Sequence, residues 1–283
     1  MYRIVKKRVL NPLVTLMDVE APRLAAAAAP GQFLIVRARE QGERIPLTIC
    51  DFDKEKGLVT ICTQAVGAST RLICSMEEGD CFTDVVGPLG RPSEFMDWDD
   101  SLLEASRFLF IAGGLGAAPV YPQVKYLHSR GVKVDVIIGA KNADMLIFRE
   151  EMAAVCDNLY ICTDDGSAGE KGMVTGVINR LLAEGRHYDN AVAIGPMIMM
   201  KFATEALRGK GILMTVSLNT LMVDGTGMCG ACRVTVAGQT KFACVDGPEF
   251  DGYKVDFDEA MRRQTLYRDQ EIEADHKCRI GRG

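Results

Sequence analysis

The feature that most limits how this chain can fold is a change of rhythm at Arg107. Before it stand only short apolar segments: "YRIVKKRVL", "LVTLMDV", "QFLIVRA", "RIPLTIC", "GLVTICTQ" and "CFTDVVG", separated by signals such as "PGQ", "EKG" and "EEGD". Short runs rich in Val, Ile, Leu and Thr, punctuated by Pro and Gly at this spacing, predict an antiparallel β-barrel. A helical insert, "STRLICSM", is expected between the fifth and sixth strands, and "RPSEFMDWDDSLLEAS" reads as an acidic, irregular linker. After Arg107, strand-like runs alternate with helix-like ones. "RFLFIAGG" is followed by "PVYPQVKYLHSRG", "VKVDVIIGA" by "IFREEMAAVC", "LYICTDD" by "MVTGVINRLLAEG", and "NAVAIG" by "IMMKFATEALRGKG". Strands alternating with helices predict βαβ units and a parallel, Rossmann-like sheet.

The expected fold class is therefore multidomain, β plus α/β. The partition is a barrel over 1–98, an α/β domain over 99–220, a small cysteine lobe over 221–250 and a charged tail over 251–283 that carries one helix, "FDEAMRRQTLY". A net charge of −5 leaves no basic footprint, so no nucleic-acid partner is expected. No apolar run approaches the roughly 18 residues of a membrane span, and the N-terminus lacks the apolar core of a signal peptide. A cytoplasmic protein without a membrane partner is expected.

Ten cysteines is a high count. Cys50, Cys62, Cys74, Cys81, Cys156 and Cys162 are scattered singly through apolar stretches and read as buried small hydrophobes. Cys278 lies in the polar tail beside His276. Only Cys229, Cys232 and Cys244 form a constellation, in "DGTGMCGACRVTVAGQTKFAC". Their intervals fit the last three ligands of a plant-type [2Fe–2S] site, with Asp224 where the first cysteine would stand. The glycines suit a loop that turns its N–H groups toward sulfur. Three readings stay open: Asp224 is an iron ligand, Asp224 only shapes an Asp-Gly turn, or the lobe holds structural zinc.

In the α/β domain, "FIAGGLGAAPVYP" puts Gly113, Gly114 and Gly116 between a strand and a helix, where a helix N-terminus offers N–H groups to a phosphate. Pro119 replaces the third glycine of the full G-x-G-x-x-G pattern. "IIGAKNAD", "TDDGSAGEKG" and "AIGPMIMM" leave three more glycine turns on the same edge, where ligands of open α/β sheets bind. Asp164 and Asp165 either accept from ribose hydroxyls or are solvated turn residues. In the barrel, Arg44, Pro46 and Thr48 share one strand face and could hold a diphosphate or the polar edge of a flavin. Gly67, Ser69 and Thr70 open a helix at another anion-ready turn. No acid–base residue stands out as catalytic.

Together these segments resemble the ferredoxin-reductase superfamily. Within it, the chain is similar to electron-transfer subunits of dihydroorotate dehydrogenase. It is closer still to small subunits of NADH-dependent reduced ferredoxin:NADP oxidoreductases, which share the Asp-plus-three-Cys pattern. The resemblance implies an FAD site on Arg44, Pro46, Leu47, Thr48, Ile49, Gly67, Ser69 and Thr70. It implies an NAD(H) site on Gly113, Gly114, Gly116, Ala118, Pro119, Gly139, Ala140, Asp164, Asp165, Gly166, Gly195, Pro196 and Met197. Asp224, Cys229, Cys232 and Cys244 would hold the [2Fe–2S] cluster. Ile194 stands where many relatives carry a cysteine before Gly-Pro, so no thiol role beside the nicotinamide carries over.

By the same resemblance, electrons pass between NAD(H), FAD and the cluster, within a complex that bifurcates them among NADH, NADPH and ferredoxin. The implied partner is a larger, glutamate-synthase-like flavoprotein with a second FAD and [4Fe–4S] clusters, because this chain has no C-x2-C-x2-C-x3-C run of its own. The alternatives are the dihydroorotate dehydrogenase subunit itself and a non-catalytic nucleotide-binding regulator with a zinc lobe.

Overall fold

Seven strands build the first sheet: β1 (Tyr2–Asn11), β2 (Val14–Glu20), β3 (Phe33–Arg37), β4 (Ile45–Asp53), β5 (Leu58–Gln64), β6 (Cys81–Phe82) and β7 (Asp84–Leu89). The computed structural model describes residues 2–279. The strands pair antiparallel in the order β6-β1-β2-β5-β4-β3-β7. Only Thr83 separates the two strands at opposite ends of that order, so the sheet curls into a nearly closed barrel. Ile4, Met17, Leu34, Ile49, Val59 and Ile61 fill its core. Two short helices decorate it, α1 (Pro22–Ala27), opened by a proline, and α2 (Ala68–Ser75). The linker expected to be irregular holds α3 (Asp100–Ala105), because Asp99 accepts a capping hydrogen bond from Leu102 N at 2.8 Å.

The second sheet contains β8 (Arg107–Gly113), β9 (Lys133–Ala140), β10 (Asn158–Thr163), β11 (Glu170–Lys171), β12 (Asn190–Ile194) and β13 (Leu213–Ser217). The chain then makes a hairpin of β14 (Arg233–Val236) and β15 (Gln239–Phe242) and returns as β16 (Glu249–Asp251). The order is β11-β10-β9-β8-β12-β13-β16, parallel throughout except that β16 runs antiparallel to β13. Successive strands spread from β8 in one direction, then restart with β12 on its other side. This reversal opens a crevice at the carboxyl ends of β8 and β12.

The connecting helices are α4 (Ala117–Ser129), α5 (Arg149–Ala153), α6 (Val174–Ala183) and α7 (Met197–Leu207), followed by α8 (Ala243–Asp246), α9 (Phe257–Arg263) and α10 (Arg268–Arg279). One core joins α4 and α5 to barrel residues Val14, Leu16, Cys50 and Cys62, and this docks the barrel on that face of the sheet. A second core gathers α6, α7 and α9 on the opposite face. A third packs Cys232, Ala243 and Cys244 against Phe33 and Ile35 of β3.

Several elements differ from expectation. The helix expected over 147–156 is reduced to α5, because Phe148 adopts a left-handed φ of 57° and starts the helix late. The tail helix stops at Arg263, and α10 follows it unforeseen. The boundary drawn at 250/251 falls inside β16. Asp256 N donates to Thr235 O at 2.9 Å and Ala237 N to Lys254 O at 2.8 Å, so the start of the tail is tied to the lobe hairpin. Of the six scattered cysteines, Cys50, Cys62 and Cys162 are buried, whereas Cys74, Cys81 and Cys156 are only partly so. Among the described residues no helix is long and apolar enough to cross a membrane.

A candidate cofactor cleft and the cysteine loop beside it

A cleft of about 1600 Å³ lies at the strand reversal and runs onto the barrel. That exceeds the roughly 300–1,000 Å³ of a single small-ligand pocket. Gly113, Gly114, Gly116, Ala118, Pro119, Gly139, Ala140, Asp164, Gly195, Pro196 and Met197 all line it. Asp165 and Gly166 do not. Asp165 instead accepts from Ser167 N at 2.9 Å and Ser167 Oγ at 2.6 Å, which hold its carboxyl below the usual range. The turns crowd each other because they are glycine: a Cβ on Gly195 would lie 3.0 Å from the backbone of Gly113, and one on Gly139 would lie 2.5 Å from Val174 Cγ1.

The barrel wall of the cleft is Leu13, Val14, Phe33, Pro46, Leu47, Thr48, Cys62 and Gln64. On β4, Leu47 and Ile49 turn toward the barrel core while Pro46 and Thr48 stay half-buried, as period-two alternation requires. Ile49 is thus a core residue and does not line the cleft, and neither do Arg44, Gly67, Ser69 and Thr70. Arg44 directly precedes β4, with one guanidinium nitrogen 3.6 Å from Asp84 and its Nε buried without a partner. At the 67–70 turn, Thr70 Oγ1 accepts from Val66 N and Gly67 N at 3.0 and 2.9 Å, and Ser69 donates to Glu43. A Cβ on Gly67 would meet nothing within 4 Å, so the space before this turn is open.

The cleft also has features that motif reading missed. Thr220, just past β13, lines it with a buried hydroxyl that has no partner. An orphaned polar atom in a cleft wall suits a ligand with polar edges. Extending the strand-end rule from β12 to β13 would have found it. Burial pushes the thiols of Cys62 and Cys162, both in the wall, up to about 12 and about 11 respectively, so they stay neutral.

The cysteine loop leaves β13 and packs on the barrel. Gly225, Gly227 and Gly230 take φ of 84°, 86° and 68°, and a Cβ on Gly225 would fall 2.5 Å from Ile35 Cδ1. Cys232 and Cys244 are buried with their sulfurs 3.2 Å apart, while Cys229 is exposed and its sulfur accepts from Ala231 N at 3.5 Å. Asp224 folds back on its own loop, accepting from the Thr226 hydroxyl and from Thr226 N at 2.9 Å, and these bonds hold its carboxyl below the usual range. Among the described residues no three His, Cys, Asp or Glu side chains converge as a metal site. Asp224, Cys229 and Cys232 share one loop, Cys244 follows the β14–β15 hairpin in α8, and only Cys232 and Cys244 are brought together. The donor set of the four, three thiols and a carboxylate on and beside a glycine-turned loop, fits an iron–sulfur group.

Residues 219–256 match the sequence model of the iron–sulfur cluster binding domain of dihydroorotate dehydrogenase B. A Thermotoga maritima homologue of the dihydroorotate dehydrogenase B (NAD+) electron transfer subunit is 48% identical over 89% of this chain and 86% of its own. The Fusobacterium nucleatum electron transfer subunit of that enzyme is 32% identical over 83% of this chain and 89% of its own. The chain belongs to this family of electron-transfer subunits. Its fold is also close to a chain of the NADH-dependent reduced ferredoxin-NADP oxidoreductase, solved for insight into flavin-based electron bifurcation. The two are 44% identical, with a TM-score of 0.90 over 98% of this chain and 97% of that one. As a member of the family it is a redox protein of the ferredoxin-reductase type.

Proposed function

We propose that this chain passes electrons between NAD(H), FAD and a [2Fe–2S] cluster, as a subunit of a bifurcating NADH-dependent ferredoxin:NADP oxidoreductase. The observation that carries this reading is the position of Phe33. It lines the cleft and, in the same place on β3, packs with Cys232 and Cys244. The nucleotide cleft and the core of the cysteine lobe thus meet at Phe33, and Met222 belongs to both as well. The 44% identity across nearly the whole of the ferredoxin-NADP oxidoreductase chain supports the same assignment.

In this reading the glycine turns after β8, β9 and β12 receive the nicotinamide nucleotide, and the N-terminus of α4 faces its phosphates. Pro46, Leu47 and Thr48 border the flavin ring system, and Arg44 with the 67–70 turn holds the diphosphate. Asp224, Cys229, Cys232 and Cys244 would hold the iron–sulfur group. A bound flavin supplies the conversion between two-electron and one-electron chemistry. The chain contributes position: neutral thiols in the wall, apolar side chains that exclude water, and a fixed wall between the two sites. The relatives are named as subunits, and the partner we assign is a larger glutamate-synthase-like flavoprotein carrying a second FAD and [4Fe–4S] clusters, through which ferredoxin is served.

An EPR spectrum of anaerobically purified protein, before and after dithionite, tests the assignment with metal analysis of the same sample. About two irons per chain and a reduced S = ½ signal are expected. Zinc without a signal would reduce the lobe to a structural fastener. A second reading, the electron-transfer subunit of dihydroorotate dehydrogenase, is favoured by the 219–256 match. Co-purification with a dihydroorotate-oxidising subunit would select it.

A further inference from the structure

Glu249, at the start of β16, sits where three parts of the chain meet. Its Oε1 accepts from Ser93 Oγ at 3.1 Å, in the segment leaving the barrel, and from Gln123 Nε2 at 2.9 Å, in the middle of α4. Ser93 and Gln123 are 1% and 0% exposed, whereas Glu249 keeps partial contact with solvent. Its chain neighbours look two ways: Pro248 lines the cleft, and Phe250 packs against the core of Cys232 and Cys244.

Among the described residues no cation answers this carboxyl. Lys125, also on α4, is committed to Asp51 at 2.8 Å, and Arg91 donates to Val245 O at 3.2 Å. β13 opposes it with Ser217, which is neutral, and Gly31 presents only backbone. The charge that does act on it is Glu94, of its own sign. The hydrogen-bond count is also one donor short, because Gln123 Oε1 is buried with no donor. With the Gln123 amide turned over about its last bond, a protonated Glu249 would donate to Oε1 in exchange for the bond it now accepts from Nε2, so either protonation state keeps one hydrogen bond to Gln123.

We propose that Glu249 is a redox-linked proton site, taking one proton from solvent when the neighbouring iron–sulfur centre gains an electron and returning it when the electron leaves. The proposal rests on the electron-transfer reading. The balance is simple: –COO⁻ plus H⁺ becomes –COOH as one electron enters the centre, so the buried charge of the pair is unchanged. Compensating charge in this way matters where water cannot screen it. Burial pushes the carboxyl up to about 7, which leaves both forms accessible near neutrality.

The test is an EPR-monitored redox titration of the holoprotein from about pH 6 to about pH 9. Below about 7 the carboxyl is already protonated in the oxidised protein, and the midpoint potential should be level there. Above that pH, reduction requires proton uptake, and the potential should fall as pH rises. Glu249→Gln should abolish the fall. Ser93→Ala removes a donor that favours the ionised form, so it should move the break to higher pH. A level wild-type profile, an unchanged slope in Glu249→Gln or an unmoved break in Ser93→Ala would each overturn the proposal. Protein with no iron and no signal would instead sink the electron-transfer reading, and this proposal with it.

Discussion

A Cβ on Gly116 would stand 2.0 Å from the carbonyl oxygen of Ile194. This contact joins the turn after β8 to the end of β12, the two strands that flank the crevice. Gly116→Ala must push them apart, and the expected cost is about 1–3 kcal/mol of stability. Nucleotide affinity should fall as well, because the same turn faces the cleft. Chemical denaturation and NADH binding, measured on one preparation, check both halves. An alanine variant with wild-type values in each would refute the close approach.

Arg44 is expected to matter for flavin retention more than for folding. Its side chain is about a third exposed and its Nε has no partner, so little in the protein depends on it. Charge-assisted hydrogen bonds to a diphosphate are worth about 1.5–3 kcal/mol, which is about ten- to hundredfold in Kd. Arg44→Ala should therefore purify with depleted flavin absorbance, while its flavin-free form melts at the same temperature as flavin-free wild type. Full flavin content would show that the diphosphate lies elsewhere.

The cysteine loop makes an ordered prediction. Cys232→Ser or Cys244→Ser removes one of the two buried, adjacent sulfurs and should take iron from about two per chain to near none. Asp224→Cys should keep the iron and change the potential, because a thiolate is a softer and more covalent donor than a carboxylate. Metal analysis with EPR separates the cases. Iron retained at full occupancy in Cys244→Ser would mean that the ligands have been misassigned.

Tyr188 donates to Asp135 Oδ2 on the inner strand β9 at 2.7 Å, and Asn158 Nδ2 holds the other carboxylate oxygen at 2.7 Å. Tyr188→Phe leaves a buried carboxylate short of a donor and should cost about 1.5–3 kcal/mol. Burial and the Asp135 bond raise the Tyr188 pKa well above its usual value. Above about pH 10 the unfolded tyrosine loses its proton while the folded one keeps it. Stability should therefore decline with rising pH in the wild type, and more gently in Tyr188→Phe. Urea titrations at neutral and alkaline pH provide the comparison.

Much of this arrangement was legible in the sequence because the signals were local. Runs such as "RFLFIAGG" carry strand, turn and helix start in consecutive residues, and β8 with its turn appears where that pattern puts it. Period two in "RIPLTIC" separates Leu47 from Thr48 correctly. What escaped was set by distant partners. β16 is three residues long and exists because β13 offers it an edge. The left-handed Phe148 that shortens α5 has no signature in its neighbours. Nothing in "DGPEFDG" singles out Glu249, and only folding shows Ser93 and Gln123 closing on it. The resemblance groups Ile49 with the flavin strand, yet its side chain belongs to the barrel core.

The return of the chain as β16 decides how the cysteine lobe can move. A lobe hung from the end of β13 alone would swing on one linker, and its distance from the cleft would vary with every bend. Here both ends are anchored in the same sheet, since β13 leads out and β16 pairs back beside it. The lobe is braced like a bracket fixed at two points, so the separation between its sulfurs and the cleft is set by the sheet and not by a hinge. Constancy of that gap is what a relay for single electrons needs.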